Sequence, residues 1–383
     1  MPRRTLNIDV FTAALDRIEG MYKAGHRIVV SSSGGKDSAV CTELAIMAAS
    51  NTGRLPVEVV VRDEEIMFPG TYEYLERIAE RPEVDMHWLI ANQPVMNVFN
   101  RDCPYFWVFD PTMDPDDWVR KPPPYAYKID DLCIQAMTTQ VRFPPAEGKK
   151  LISITGLRTQ ESPNRRMSIH NTKGFLTKHP TKQGKAFVAR PIYDWTDHDV
   201  WKAIKDFQWD YNDAYNVMVR MGVSRPKMRI GPPTMTAAAL ALLTMASKAW
   251  PQWFDKVCRR LPGVRTGAKF GRRAVTPQRR LGETWMECYQ RACIDDAPDW
   301  INARATLFRQ KMLELHSRHA TSPWPEIKSC LPCGQVNNWR QATKVMYNGD
   351  PFLSQATSCS VLGYVEPEFF REGAGTWGGT PSF

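Results

Sequence analysis

No part of this sequence is apolar for the roughly 20 consecutive residues that a bilayer-spanning helix requires. The longest apolar run, Ala237 to Ala246, stops far short of that. The N-terminus, Met1-Pro2-Arg3-Arg4-Thr5, has two arginines but no apolar stretch behind them, so the pattern of a secretory leader is missing too. The expectation is a cytoplasmic chain without a membrane partner. In that reducing compartment the nine cysteines are expected as thiols or metal ligands, not as a disulfide framework. Apolar and charged residues are not scarce: at 43% and 24% they match an ordinary folded protein, which removes disorder as a default. No internal repeat is present.

Along the chain, strands and helices alternate. Apolar residues at helical spacing run from Asp9 to Ala24, and His26–Ser31 then reads as a short buried strand. A second helix follows from Asp37, a β-branched strand at Val57–Val61, a helix at Thr71–Glu80, and a third strand at Met86–Ile90. Such alternation predicts an α/β fold built on a doubly wound, mainly parallel sheet. Between about 92 and 128 the pattern breaks into an aromatic and proline-rich insertion containing Tyr105-Phe106-Trp107 and Pro122-Pro123-Pro124. Regularity returns with the strand Leu151–Ile154, and Thr196 with Asp199 three residues on marks a capped helix start. The expected division is a nucleotide-binding domain over 1–215 and a mostly helical C-terminal domain over 216–383, with helices at Thr234–Ala249, Gly282–Ala292 and Pro298–Arg318 and a flexible Gly-rich tail at 373–379.

The chemistry concentrates in Ser33-Gly34-Gly35-Lys36-Asp37-Ser38, where a strand turns tightly into a helix. Unpaired N–H groups at a helix start, and glycines that let the backbone approach a ligand, make an anion site. Lys36 adds a mobile cation, and Ser33 and Ser38 add hydroxyl donors. Two other phosphate loops are excluded. Position 30 is valine, where the nucleoside-triphosphatase loop needs glycine, and Asp37 follows Lys36 in place of serine or threonine. The dinucleotide fingerprint lacks its third glycine.

The six residues resemble the pyrophosphatase-type Ser-Gly-Gly-x-Asp-Ser loop, or PP-loop, of the adenine nucleotide α-hydrolase superfamily. Three further segments are similar to those of phosphoadenosine phosphosulfate (PAPS) reductases: Asp63-Glu64-Glu65-Ile66-Met67-Phe68-Pro69-Gly70-Thr71, then Gly156-Leu157-Arg158-Thr159-Gln160-Glu161-Ser162 with Arg165 and Arg166, then Pro191-Ile192-Tyr193-Asp194-Trp195-Thr196. In family order over residues 26–215, they resemble variant members from phages and mobile elements more than housekeeping sulfate-assimilation enzymes. The resemblance implies that residues 33–38 hold the phosphates of ATP or PAPS. It also implies that Lys36, Asp37 and Asp63 serve catalysis with Mg, that Arg158 and Arg165 bind the anionic end of the substrate, a role suited to the planar guanidinium fork, and that Glu161 belongs to the same substrate-binding loop. Arg158 has the alternative of pairing with Glu161, and Asp194 and Asp199 that of capping.

The family's reductive chemistry lacks its nucleophile here. The C-terminal Glu-Cys-Gly-x-His motif is absent, Pro232 stands where cysteine often follows Ile230-Gly231, and the paired cluster cysteines of the adenylyl-sulfate branch are missing. The remaining superfamily chemistry is ATP pyrophosphatase or adenylyl transfer, coupled to sulfur transfer or nucleic-acid modification. From Cys258 to Arg280 eight basic residues occur without an acidic one, including Arg259, Arg260, Arg272, Arg273, Arg279 and Arg280. Such a strip suits DNA or RNA, or is simply a solvated face. Cys288, Cys293, Cys330 and Cys333 are a candidate ligand set for zinc or an iron–sulfur cluster, with His316 and His319 as rival ligands and buried helix cysteines as the plain alternative. Two other functions stay open: a non-catalytic, nucleotide-responsive DNA-binding regulator, and a sulfonucleotide reductase using a non-standard thiol such as Cys333 or Cys359.

Overall fold

The computed structural model describes residues 7–91, 94–129, 138–172, 174–178, 184–231, 237–330, 332–333, 338–351, 362, 365 and 367–370. The Gly-rich tail, Pro232 and Cys359 lie outside them. In chain order the elements are α1 (Val10–Lys23), β1 (Arg27–Ser32), α2 (Lys36–Thr52), β2 (Val57–Arg62), α3 (Thr71–Ala79), β3 (Val84–Ala91), β4 (Val95–Met96), β5 (Tyr105–Phe106), β6 (Tyr127–Ile129) and β7 (Leu151–Ile154). Then follow α4 (Pro163–Thr172), β8 (Phe187–Ala189), α5 (Asp197–Asp206), α6 (Ala214–Arg220), α7 (Ala237–Ala249), α8 (Pro251–Arg260), α9 (Val264–Phe270), α10 (Trp285–Tyr289), α11 (Asp299–Ser317) and α12 (Trp339–Met346). A π-helical turn, Gln290–Asp295, continues α10.

The expected α/β architecture is present. Six strands form one sheet in the order β6-β3-β2-β1-β7-β8, and all five pairings are parallel. β1 is central, and its buried run Ile28-Val29-Val30 is apolar on both faces, as a covered parallel strand must be. Successive side chains divide between two layers. Ile28, Val30, Val59 and Val61 pack with α1, α2, α3 and α5 residues such as Ile18, Leu44, Tyr74 and Ile204. Val29, Val60 and Leu89 pack with Phe143 and Leu151 in the opposite layer.

The chain forms two compact units. The first comprises Met1–Gln93, Trp107–Pro233 and Lys248–Lys256; the second comprises Pro94–Phe106, Thr234–Ser247 and Val257–Phe383. Within the first, Phe68 stacks on Trp250 at 5.5 Å. Within the second, β4 pairs antiparallel with β5, and α11 and α12 share a core of Phe308, Met312, Trp324 and Trp339. The stretch 92–128, which reads as one insertion in the sequence, thus contributes residues to both units, and its end forms the edge strand β6.

Strand pairing is reinforced at the entry edge of the sheet. The Arg27 guanidinium donates to both carboxylate oxygens of Glu58, at 2.8 and 2.5 Å, across the β1–β2 boundary. Burial disfavours the Glu58 carboxylate, but hydrogen bonds from Arg27 and His87 outweigh that and hold its pKa down to about 2, from 4.5. A depressed folded-state pKa stabilises the fold above the unfolded value, and the contribution is lost as pH falls from about 4.5 toward about 2. Glu58→Gln is therefore expected to lower unfolding free energy at neutral pH by about 2 kcal/mol, the gap to wild type narrowing from about pH 5 and closing only as pH reaches about 2. Urea titrations across that range check this; a gap independent of pH would contradict it.

Candidate functional site

Strand order reverses between β1 and β7: the chain leaves β1 toward β2 on one side and returns to β7 on the other. At such a switch point the loops beyond the two strand ends diverge and open a crevice. Here a cavity of about 620 Å³ is lined by Ser33, Gly35, Lys36, Asp37 and Ser38 after β1, by Thr155–Arg158, Gln160, Glu161 and Arg165 after β7, and by residues from 197 to 230.

Steric fit fixes two of these loops. Gly34 has φ +71, and a Cβ there would stand 2.6 Å from Thr71 Cγ2; only glycine satisfies both conditions. A Cβ on Gly156 would lie 2.6 Å from the Asp37 carbonyl carbon, so the loop after β7 touches the first turn of α2. Asn212 then ties the turn to its surroundings, donating to the Gly34 carbonyl at 2.9 Å and to Thr71 Oγ1 at 2.8 Å. The Lys36 N–H donates to the Tyr215 hydroxyl at 3.0 Å. Burial pushes the Tyr215 phenol well above its ordinary pKa, so it stays protonated. Gly35 provides no side-chain cap for α2, which leaves the positive end of a 17-residue helix facing the cavity.

Charged side chains form an interlocked group on this backbone. Lys36 Nζ lies 2.9 Å from Asp37 Oδ2 and 3.3 Å from Asp197 Oδ1. Arg158, only 3% exposed, donates through Nε to Asp37 Oδ1 at 2.5 Å and reaches Asp197 at 3.5 Å. Its distance to Glu161 is 3.8 Å, so the expected local pairing is the weaker of its contacts, and Glu161 pairs with Arg165 instead. Five cations (Lys36, Arg158, Arg165, Arg225, Arg229) face three carboxylates (Asp37, Glu161, Asp197) around the cavity, a surplus of two positive charges. Burial, and then the nearby Arg229, push the Arg165 pKa below its ordinary value, with Asp37 opposing. Crowded like charge of this kind is relieved by an anion.

Of the residues singled out from the sequence, 33–38, Arg158, Glu161 and Arg165 converge here; Gly34 supports the loop from behind the lining. Asp63 does not join them. Only 1% exposed, it accepts from Trp88 Nε1 at 2.8 Å and from the Glu65 N–H at 2.9 Å, and it pairs with Arg120. Both oxygens already hold partners inside the fold, and Asp63 is not among the residues lining the cavity, so the expectation that places it beside the 33–38 loop is not met. Glu65 works alongside it, accepting the N–H groups of Phe109 and Val119 at 2.8 and 3.1 Å and so fastening that loop. Asp194 is bidentate with Arg17 at 2.9 and 2.6 Å, which leaves capping to Thr196 and Asp199.

Asp197, Tyr215, Asn212, Arg225 and Arg229 were not singled out from the sequence. Asp197 follows the capping threonine directly, and that adjacency was its only local signal. Among the described residues no cysteine lines the cavity; Cys41, on α2, is fully buried, and burial drives its thiol far above the ordinary pKa.

The basic strip is not one continuous face. Arg259, Arg273, Arg279 and Arg280 are exposed, but Arg260 is 9% exposed and lies over the Phe106 ring at 5.7 Å, because α8 is amphipathic and Arg260 falls on its inner side. The Arg272 side chain lies outside the described residues. The four-cysteine ligand set is also corrected. Cys288 and Cys293 are buried on the α10 and π-helical run, and Cys293 Sγ points to the Thr343 carbonyl at 3.6 Å. Cys330 and Cys333 group with His316 instead.

Asn212→Ala would strip the Gly34 carbonyl and Thr71 hydroxyl of a buried donor. It is expected to cost about 2–3 kcal/mol in urea unfolding; a loss under about 0.5 kcal/mol would show that the clamp is not needed.

The sequence model of the Phosphoadenosine phosphosulfate reductase domain matches residues 27–103, a span that includes β1, the 33–38 loop and the Asp63–Thr71 segment. The "Uncharacterized protein YbdN" of Escherichia coli (strain K12) is 25% identical over 373 residues, covering 90% of this chain and 89% of that one. Among solved structures, Candida glabrata FMN adenylyltransferase superposes with a TM-score of 0.35 at 12% identity, over 54% of this chain and 57% of that chain. Phosphoadenylyl-sulfate (PAPS) reductase from Candida auris, as a phosphate complex, superposes with a TM-score of 0.30 at 12% identity, over 61% and 98%. Over residues 27–103 the chain is thus similar to the phosphoadenosine phosphosulfate reductase domain.

Proposed function

We propose that this chain is an enzyme that binds ATP, or a related sulfonucleotide, in the cavity beyond β1 and β7 and transfers the adenylyl group with release of pyrophosphate. The observation that carries the reading is the positively charged cavity at the start of α2, where backbone donors, Lys36, Arg158 and Arg165 converge. Phosphates there would take over the contacts that Lys36 and Arg158 now make with Asp37 and Asp197. Lys36 would stabilise the departing pyrophosphate, and Arg158 the charge that develops at the α-phosphate. Asp37 and Asp197 are the cavity carboxylates fitted to hold a divalent cation accompanying the nucleotide, which would neutralise further phosphate charge. Arg165 and Arg229 would meet the second anionic group of a sulfonucleotide or the tail of a triphosphate.

Sulfonucleotide reduction is the second reading, because the C-terminal Glu-Cys-Gly-x-His motif is absent from the sequence and none of the described cysteines lines the cavity. The acceptor is proposed to be a sulfur donor or a nucleic acid, with exposed Arg273, Arg279 and Arg280 as the polyanion surface.

Purified protein given Mg-ATP, with and without DNA or RNA, is expected to release pyrophosphate, and to release AMP where water or a sulfur donor displaces the adenylate. Lys36→Ala and Asp197→Asn should each slow release on the order of 10²–10³-fold. Nucleotide binding without turnover would favour a regulator, and sulfite release from PAPS with a thiol donor would restore the reductase. Absence of nucleotide binding in every condition would remove the proposal. Charge reversal at Arg273, Arg279 and Arg280 should weaken nucleic-acid affinity and flatten its salt dependence; unchanged affinity would clear that surface of the role.

A further inference from the structure

We infer that the second unit carries a zinc site formed by His316, Cys330 and Cys333, separate from the cavity chemistry and independent of what the cavity binds. The ligand atoms of the three residues all lie within 4.8 Å of one another. His316 closes the last turn of α11, and the two cysteines stand on the segment that leads to α12. His316 and Cys330 are 4% and 6% exposed, so an ion there would be largely shielded from water.

The histidine's second nitrogen decides the tautomer. His316 Nε2 is 2.6 Å from the Ser322 carbonyl oxygen, and a carbonyl can only accept, so Nε2 carries the hydrogen. In the neutral ring Nδ1 is then a bare lone pair, and it faces Cys333 Sγ at 3.4 Å. Backbone carbonyls holding the far N–H are how metal-bound histidines are oriented. A tetrahedral zinc with bonds of about 2.3 Å to sulfur and about 2.1 Å to nitrogen sets its sulfur and nitrogen ligands about 3.6 Å apart, close to the distance found. Two thiolates and one imidazole are the donor set of zinc rather than of magnesium or calcium. Both thiols would release their protons as the metal binds. Among the described residues no fourth histidine, cysteine or carboxylate joins the group, so the remaining position falls to a ligand of another kind.

The competing arrangement is a simple hydrogen bond from the Cys333 thiol to Nδ1, and full-length protein distinguishes the two. Protein purified without chelator is expected to contain about one zinc per chain. Cobalt in its place should give tetrahedral ligand-field bands and thiolate charge-transfer absorption. Cys333→Ser and Cys330→Ser should lose the metal, whereas Cys288→Ser and Cys293→Ser should retain it. Should the first pair fail to fold, wild-type protein still answers: a chelator should expose two thiols to a thiol reagent and lower the melting temperature. Folded wild-type protein that takes up neither zinc nor cobalt, or metal content unchanged in both Cys330→Ser and Cys333→Ser, would overturn the site.

Discussion

Where the loop after β7 meets the first turn of α2, Gly156 leaves no room for a side chain: a Cβ would lie within 2.8 Å of three backbone atoms of Asp37 and Ser38. That approach joins two segments that are some 120 residues apart in the chain, since Asp37 and Arg158 differ by 121 positions. The pairing of Arg158 with Asp37 follows from it. Arg158 reaches Asp37 because Gly156 has brought its loop there, and Asp197 reaches both cations because the chain after β8 returns to the same place. The parallel sheet supplies direction by ending β1 and β7 side by side, in the register Val30 to Ile154. The glycine sets the separation.

The ion pairs built on this contact are self-contained, and that shapes their chemistry. Buried charges of opposite sign largely offset their own desolvation, so their net stabilising value is modest while the cost of breaking one partner away is large. A ligand richer in negative charge than a carboxylate can exchange into such a network without leaving a cation bare. The surplus of positive charge ensures that some of the five cations gain a partner in the exchange. Asp63 and Glu65 represent the opposite case. Their oxygens hold Trp88, Arg120 and backbone N–H groups, and so serve the packing of the fold rather than the cavity.

What the sequence made legible was local. The strand, glycine turn and helix around residues 33–38 are contiguous, and the Thr196–Asp199 capping pair is a three-residue pattern; both occur as read. The alternation of apolar strands and helices was enough to indicate the parallel sheet. Asn212 and Tyr215 were illegible as site residues because they act 178 and 179 positions away from Gly34 and Lys36, and nothing in their neighbours advertises that. Arg225 and Arg229 occupy a short polar segment without periodicity. Asp63 carried the right residue type in the right motif, but a buried carboxylate and an exposed one have the same letter, and only tertiary packing against Trp88 tells them apart. The two-residue gap between Cys330 and Cys333 was a usable signal. Their histidine partner was already in view as a rival ligand, yet it took the end of α11 to choose it over Cys288 and Cys293.

The interleaving of the two units has a practical corollary. Residues 94–106 belong with the second unit although they sit between strands of the first, and residues 248–256 belong with the first although they follow part of the second. No single cut can therefore free either unit intact. A fragment ending at 215 would leave Phe68 without its stacking partner Trp250, and would carry β4 and β5 away from the Pro262 carbonyl that Asn97 holds at 3.0 Å. The second unit is thus woven into the chain, not appended to it, and expression of isolated halves would report on exposed core surface before it reported on either half's chemistry.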